Sequence, residues 1–148
     1  MNTPKGESVV SVFSQDCPSR ELLLDVTGRW GALVLAALHR EACRFSVLRR
    51  RVEGVSERML SQTLQALRRD GLVERAVEGT IPPRVTYSLS PLGIRVAGRI
   101  AGLVELLEEE TDQFQEARKA FDGVTPATAP RVVESSATGI TTRQESYP

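Results

Sequence analysis

Arg58, Gln62, Gln65 and Arg69 fall three or four residues apart in a stretch where Leu60, Leu64 and Leu67 keep a complementary spacing. On a helix turning about 100° per residue, the leucines would face inward and the polar set would lie roughly 180° away, with Ser61 on its flank. The chemistry available to that outward stripe is base recognition. A guanidinium matches O6 and N7 of guanine, and a carboxamide matches N6 and N7 of adenine. Arg58, Gln62 and Gln65, with Ser56 and Ser61 beside them, are therefore the candidate base-reading set, concentrated in the first half of the helix. Arg49, Arg50, Arg51, Arg69, Arg75 and Arg84 are candidates for phosphate contacts, which position a protein on a duplex without choosing its sequence. A merely solvated helix face would carry the same residue types, so the surrounding elements have to decide.

Other chemistries find little support. The chain has one His, no glycine-rich phosphate loop and no evident pairing of nucleophile and base, so no enzyme activity and no cofactor are expected. His39 and Cys43 are four residues apart, but two ligands do not make a metal site, and no metal is expected. Cys17 and Cys43 are too few for a disulfide framework and do not follow a zinc spacing, so both are expected as thiols. Cys17 precedes Pro18 at a helix start, where the helix dipole can lower a thiol pKa. A small buried or capping residue without redox work is the alternative there.

The 148 residues suit one domain with tails, and a composition 41% hydrophobic and 26% charged is ordinary for a soluble globular chain. No apolar run approaches the roughly 20 residues of a membrane span, and the first residues do not read as a secretory signal. A cytoplasmic protein without membrane contact is expected. The formal net charge is zero, yet the charges are unevenly placed. Residues 20–101 hold fourteen Arg against eight acidic residues, a net of +6, while residues 102–148 carry a net of −5. The basic section is the candidate nucleic-acid module, since phosphates respond to local potential within a Debye length of about 8–10 Å.

Pro18 opens a helix that Gly28 stops, and a second helix follows from near Trp30 to about His39 or Arg40. Trp30, Leu33, Val34, Ala37 and Leu38 define its expected core face. Phe45, Leu48 and Val52 mark a short third helix, Gly54 a tight turn, and Ser56 the N-cap of a fourth that ends at Gly71. Two helices around such a turn outline a helix-turn-helix. The period then changes to two: residues 72–77 and 84–90 predict a β-hairpin, with a Gly79 and Pro82-Pro83 loop between them. Ser90-Pro91 starts a last helix whose stripe Leu92, Val96, Ile100, Leu103, Leu107, Phe114 and Phe121 spans about eight turns. A helix over residues 91–121 is too long for one small domain to cover, so part of its stripe is expected to meet a second subunit. The expected organisation is a flexible arm over 1–16, the helical domain over 17–107, the long helix over 91–121 and a disordered tail over 123–148.

This order of elements, together with Cys17-Pro18, Gly28 with Trp30, Arg44-Phe45-Ser46 with Leu48-Arg49, residues 55–75 and residues 82–93, resembles the HxlR-type branch of bacterial winged helix-turn-helix regulators. The resemblance covers residues 17 to about 107. It implies a mainly α fold with a small β-hairpin, of the α+β class, and a long C-terminal dimerisation helix. It also implies a homodimer, joined through the first helix and the 91–121 helix, that binds pseudo-palindromic double-stranded DNA as a transcriptional regulator, with repression as the expected sign. An oxidant, electrophile or small molecule as effector is implied as well, with Cys17 as the position at which the family senses; Cys43 stands where the family motif has no Cys. The competing reading is a winged helix used only for protein contacts, which would favour an apolar patch where this chain has Arg and Gln.

Overall fold

The computed structural model describes residues 11–124. Eight elements follow in order: α1 (Pro18–Thr27), α2 (Gly31–Arg40), α3 (Phe45–Arg51), α4 (Glu57–Arg69), β1 (Val73–Glu78), β2 (Arg84–Leu89), α5 (Pro91–Glu109) and α6 (Thr111–Gly123). The expected arm over 1–16 and tail over 123–148 lie outside the described residues, apart from the turn at 11–16, the last residue of α6, Gly123, and Val124.

α4 forms where its capping residues dictate. Ser56 is extended, and its Oγ accepts the Met59 N–H at 3.1 Å. At the other end Gly71 takes a φ of +74°, a conformation that glycine adopts without a Cβ penalty. The Leu72 N–H then reaches the Leu67 carbonyl at 2.9 Å and the Gly71 N–H the Arg68 carbonyl at 3.0 Å, the paired bonds of a Schellman ending. Leu60, Leu64 and Leu67 turn into the core as their spacing predicts, where they meet Val34, Leu35, Leu48 and Leu72, all essentially without solvent contact. Each such leucine contributes about 1.5–3 kcal/mol through burial.

The wing is a two-stranded antiparallel sheet running from Val73 opposite Leu89 to Glu78 opposite Arg84. A short third line joins it: the Cys43 N–H donates to the Tyr87 carbonyl at 3.0 Å, and the Tyr87 N–H to the Cys43 carbonyl at 2.9 Å. Beyond β2, the Ser90 hydroxyl donates to the Gly71 carbonyl at 2.5 Å and accepts the Gly93 N–H at 2.9 Å. That side chain caps α5 and ties it to the end of α4. Gly93 makes the junction sterically possible, because a Cβ there would lie 1.9 Å from the Leu72 carbonyl oxygen.

Two expectations are corrected. On α2 the buried residues are Gly31, Val34, Leu35 and Leu38, whereas Leu33 is 45% exposed. The sequence Gly31–Arg40 is apolar on nearly every side, so its period did not single out the core face. The helix expected over 91–121, with its stripe interrupted at Glu108 to Asp112, is two helices, for α5 ends at Glu109 and a second unit begins at Glu110, the N-cap of α6. Glu108, Glu109 and Glu110 place three carboxylates at the negative end of the α5 dipole with no basic residue in its last turn, which favours termination. Asp112 then stands in the first turn of α6, where a negative charge is favourable. α6 buries none of its own residues and leaves Phe114 and Phe121, seven residues apart, exposed on one face.

Candidate nucleic-acid interface

The α4 stripe is presented to solvent. Arg58, Ser61, Gln62, Gln65 and Arg69 are all exposed, as is Ser56 at the cap. Arg58, Gln62 and Gln65 have no side-chain hydrogen bond or ion pair among the described residues. Their donors and acceptors are therefore available for a ligand.

The arginines divide into two sets. Arg49 pairs with Glu57 at 2.9 Å, Arg69 with Glu21 at 3.1 Å, and Arg51 with Glu41. The Arg51 pair pushes the guanidinium pKa upward through its hydrogen bond to Glu41, so Arg51 stays cationic. Arg50, Arg75 and Arg84 have no ion pair among the described residues, although Arg84 faces Glu78 across the hairpin register. The pairs draw on glutamates eight, ten and 48 residues away in sequence, separations at which no helical or strand period connects the partners.

Between the C-terminal half of α4 and the start of the wing, Gln65, Arg68, Arg69 and Arg75 line a shallow groove with Val73 and Glu74. Arg68 was not singled out by sequence reasoning, yet it is exposed and lies in this basic cluster. Its position in the last turn of α4, beside the Gly71 stop, is the signal that would have found it.

Behind the interface, Asp70 is the C-cap of α4, and its Oδ2 is buried without a hydrogen-bond partner. Burial raises the carboxyl pKa, the hydrogen bond and charge of Asp25 on α1 raise it further, Arg69 opposes the change and Glu21 adds to it. The same two helices are thus joined by a salt bridge and by a carboxyl pair.

Cys17 is a free thiol, buried at the N-cap of α1, and makes no side-chain capping hydrogen bond. Cys43 is also free and buried; burial raises its thiol pKa, Arg51 lowers it and Glu41 raises it. A thiol held protonated inside the core has the character of a packing residue. Among the described residues no cluster of three or more His, Cys, Asp and Glu is arranged to hold a metal ion. No single described helix is long and apolar enough to cross a membrane.

The HxlR-like helix-turn-helix family model matches residues 25–116, from the second half of α1 to the middle of α6. The chain belongs to the HxlR-like family. An uncharacterized HTH-type transcriptional regulator, YtfH of Escherichia coli K12, is 50% identical over 98 residues, which is 66% of this chain and 78% of that protein. The solved structure of the putative transcriptional regulator ytfH from Salmonella typhimurium is 47% identical with a TM-score of 0.69, covering 74% of this chain and 97% of that one. The redox regulator HypR in its reduced form is 28% identical with a TM-score of 0.61, covering 67% and 98%. This HxlR-like chain is accordingly a transcriptional regulator of winged-helix type, and its relatives and fold are those of regulators rather than enzymes.

Proposed function

We propose that the chain is a cytoplasmic, sequence-specific double-stranded DNA-binding repressor that acts as a homodimer on a pseudo-palindromic operator. The observation that carries this reading is the exposed α4 stripe, in which Arg58, Gln62 and Gln65 have no side-chain partner among the described residues. Arg58, Gln62 and Gln65 reach base edges from the first half of the helix, with Ser56 and Ser61 beside them. Arg50, Arg75 and Arg84 contact phosphates directly. Arg49, Arg51 and Arg69 do so by exchanging an exposed glutamate for a phosphate, a cheap exchange because solvent-exposed ion pairs contribute about 0–1 kcal/mol. Dimerisation uses the apolar residues left uncovered on α1 and α5, including Leu23, Leu92, Leu103 and Leu106, together with the Phe114 and Phe121 face of α6. Cys17 senses oxidants or electrophiles at the start of α1, a role supported by its place in the sequence and by the redox regulator HypR among the similar structures.

The test is binding of the purified protein to DNA from its own upstream intergenic region against a scrambled competitor, at two salt concentrations, with and without diamide. With about six phosphates neutralised per dimer, log K should fall against log salt with a slope near −5. Loss of binding on oxidation in the parent but not in Cys17→Ser would assign the sensor. Absence of specific binding in every redox state would favour a winged helix used for protein contacts.

A further inference from the structure

α4 has a second flank. Turning away from the basic groove at the wing, Met59, Thr63 and Ala66 look toward the α1–α2 turn. There, Leu24, Asp25, Arg29 and Trp30 complete an open groove of about 500 Å³, within the range of small-molecule sites. Two large apolar side chains stand open in its walls, Leu24 63% and Met59 40% exposed. The Arg29 guanidinium carbon lies 4.8 Å from the centre of the Trp30 ring. Stacking occupies the face of a guanidinium and leaves its N–H edge for an anion. Arg29 has no carboxylate partner among the described residues, while the nearby Asp25 is engaged with Asp70.

We propose that this groove binds a small aromatic carboxylate, its ring against Leu24, Met59 and the indole of Trp30 and its carboxylate on the edge of Arg29. The polar lining favours an anion. Thr63 Oγ is spent on the Met59 carbonyl and Ser56 Oγ on the Met59 N–H, which leaves Arg29, Gln62 and the Trp30 indole N–H as the side-chain groups without a hydrogen-bond partner among the described residues, the first cationic and the other two neutral. A cationic ligand would meet Arg29 with only an engaged Asp25 to receive it. Gln62 lies both in the groove lining and on the outward stripe of α4, so a bound ligand and an operator compete for it. That consequence rests on the operator-binding reading, whereas the site itself does not.

Trp30 is the only tryptophan in the chain, so its fluorescence reports the groove directly in full-length protein without DNA. Titration with benzoate should give a saturable change, with at least tenfold weaker responses to acetate, which lacks the ring, and to benzyl alcohol, which lacks the charge. Arg29→Gln should weaken benzoate at least tenfold and leave benzyl alcohol unaltered. Met59→Ala, which touches neither the charge nor the Trp30 contact with Arg29, should weaken both aromatic probes; calorimetric titration repeats each comparison without relying on the altered fluorophore. In the parent, saturating benzoate should lower operator affinity at least threefold. The proposal is overturned by no saturable response to benzoate, by an equal response to acetate, or by full benzoate affinity in Arg29→Gln. If those negatives occur while operator DNA is still bound, the regulator reading stands and the ligand site alone falls.

Discussion

The clearest residue-level consequence lies at Asp70. Burial and Asp25 raise its pKa in the folded chain above the ordinary 3.8, so the folded state keeps a proton that the unfolded chain has released. Stability should therefore decline as pH rises through and beyond that value. Asp70→Asn mimics the protonated form and removes a carboxylate from the negative end of the α4 dipole. We expect a gain of about 0.5–1 kcal/mol near pH 7.5, roughly 2–4 °C in Tm, kept modest by solvent screening of a group that is not fully enclosed. Near pH 3.5 the gain should vanish. Urea unfolding of parent and variant at both pH values measures it, and an equal shift at both would assign the effect to packing or hydrogen bonding of the amide, because the carboxylate's interactions with Asp25 and with the helix dipole both vanish on protonation. The Asp25–Asp70 pair was invisible in the sequence because 45 positions separate two carboxylates that only the packing of α1 on α4 brings together. The α4 stripe was legible for the opposite reason: its leucines and its polar residues fix one helical phase between them.

At the level of elements, the junction of α4, the wing and α5 is the most constrained. A Cβ on Gly93 would lie 1.9 Å from the Leu72 carbonyl oxygen and 2.9 Å from its carbon, both backbone atoms that cannot swing aside. Gly93→Ala should cost about 1–3 kcal/mol as α5 is pushed off its seat. Gly98→Ala, on the same helix, meets only the His39 Nε2 at 3.7 Å, and should be neutral or stabilise by up to about 1 kcal/mol through helix propensity. Thermal melts of the two variants distinguish a steric limit at one position from a general intolerance of alanine in α5. The Ser90-Pro91 start of α5 was readable because capping is a local matter, whereas the need for glycine at 93 depends on Leu72, at the helix-to-strand corner 21 residues upstream. α2 shows the limit of periodicity from another side: with apolar residues around most of its circumference, Leu33 and Leu35 exchange places between the expected and the observed core. The end of α5 at Glu109 reflects three consecutive carboxylates outweighing an apolar stripe that continues past them.

For the whole molecule, the deciding quantity is apolar surface that one protomer does not cover. α5 buries Gly93, Ala97 and Ile100, yet Leu92, Ile94, Leu103 and Leu106 are each about half exposed. The charge is divided along the same chain, with the basic section holding the α4 stripe and the wing and the acidic section following residue 101. The proposed dimer, by covering the α5 leucines and turning its two α4 helices toward one duplex, would reconcile a neutral chain with a polyanionic ligand. Substituting Leu103→Glu and Leu106→Glu together tests it, because both side chains lie outside the protomer core and the change should leave the fold, read by circular dichroism, intact. On the proposed dimer, sedimentation should then show a dimer for the parent and a monomer for the variant. On a palindromic site, losing the link between half-sites should weaken binding by about 100-fold or more, and the salt slope should fall from near −5 to about −2.5 as half the phosphate contacts disappear. A folded variant that remains dimeric would place the interface elsewhere. A monomer with an unaltered salt slope would mean that one protomer makes all the phosphate contacts, and the two-fold operator would have to be abandoned.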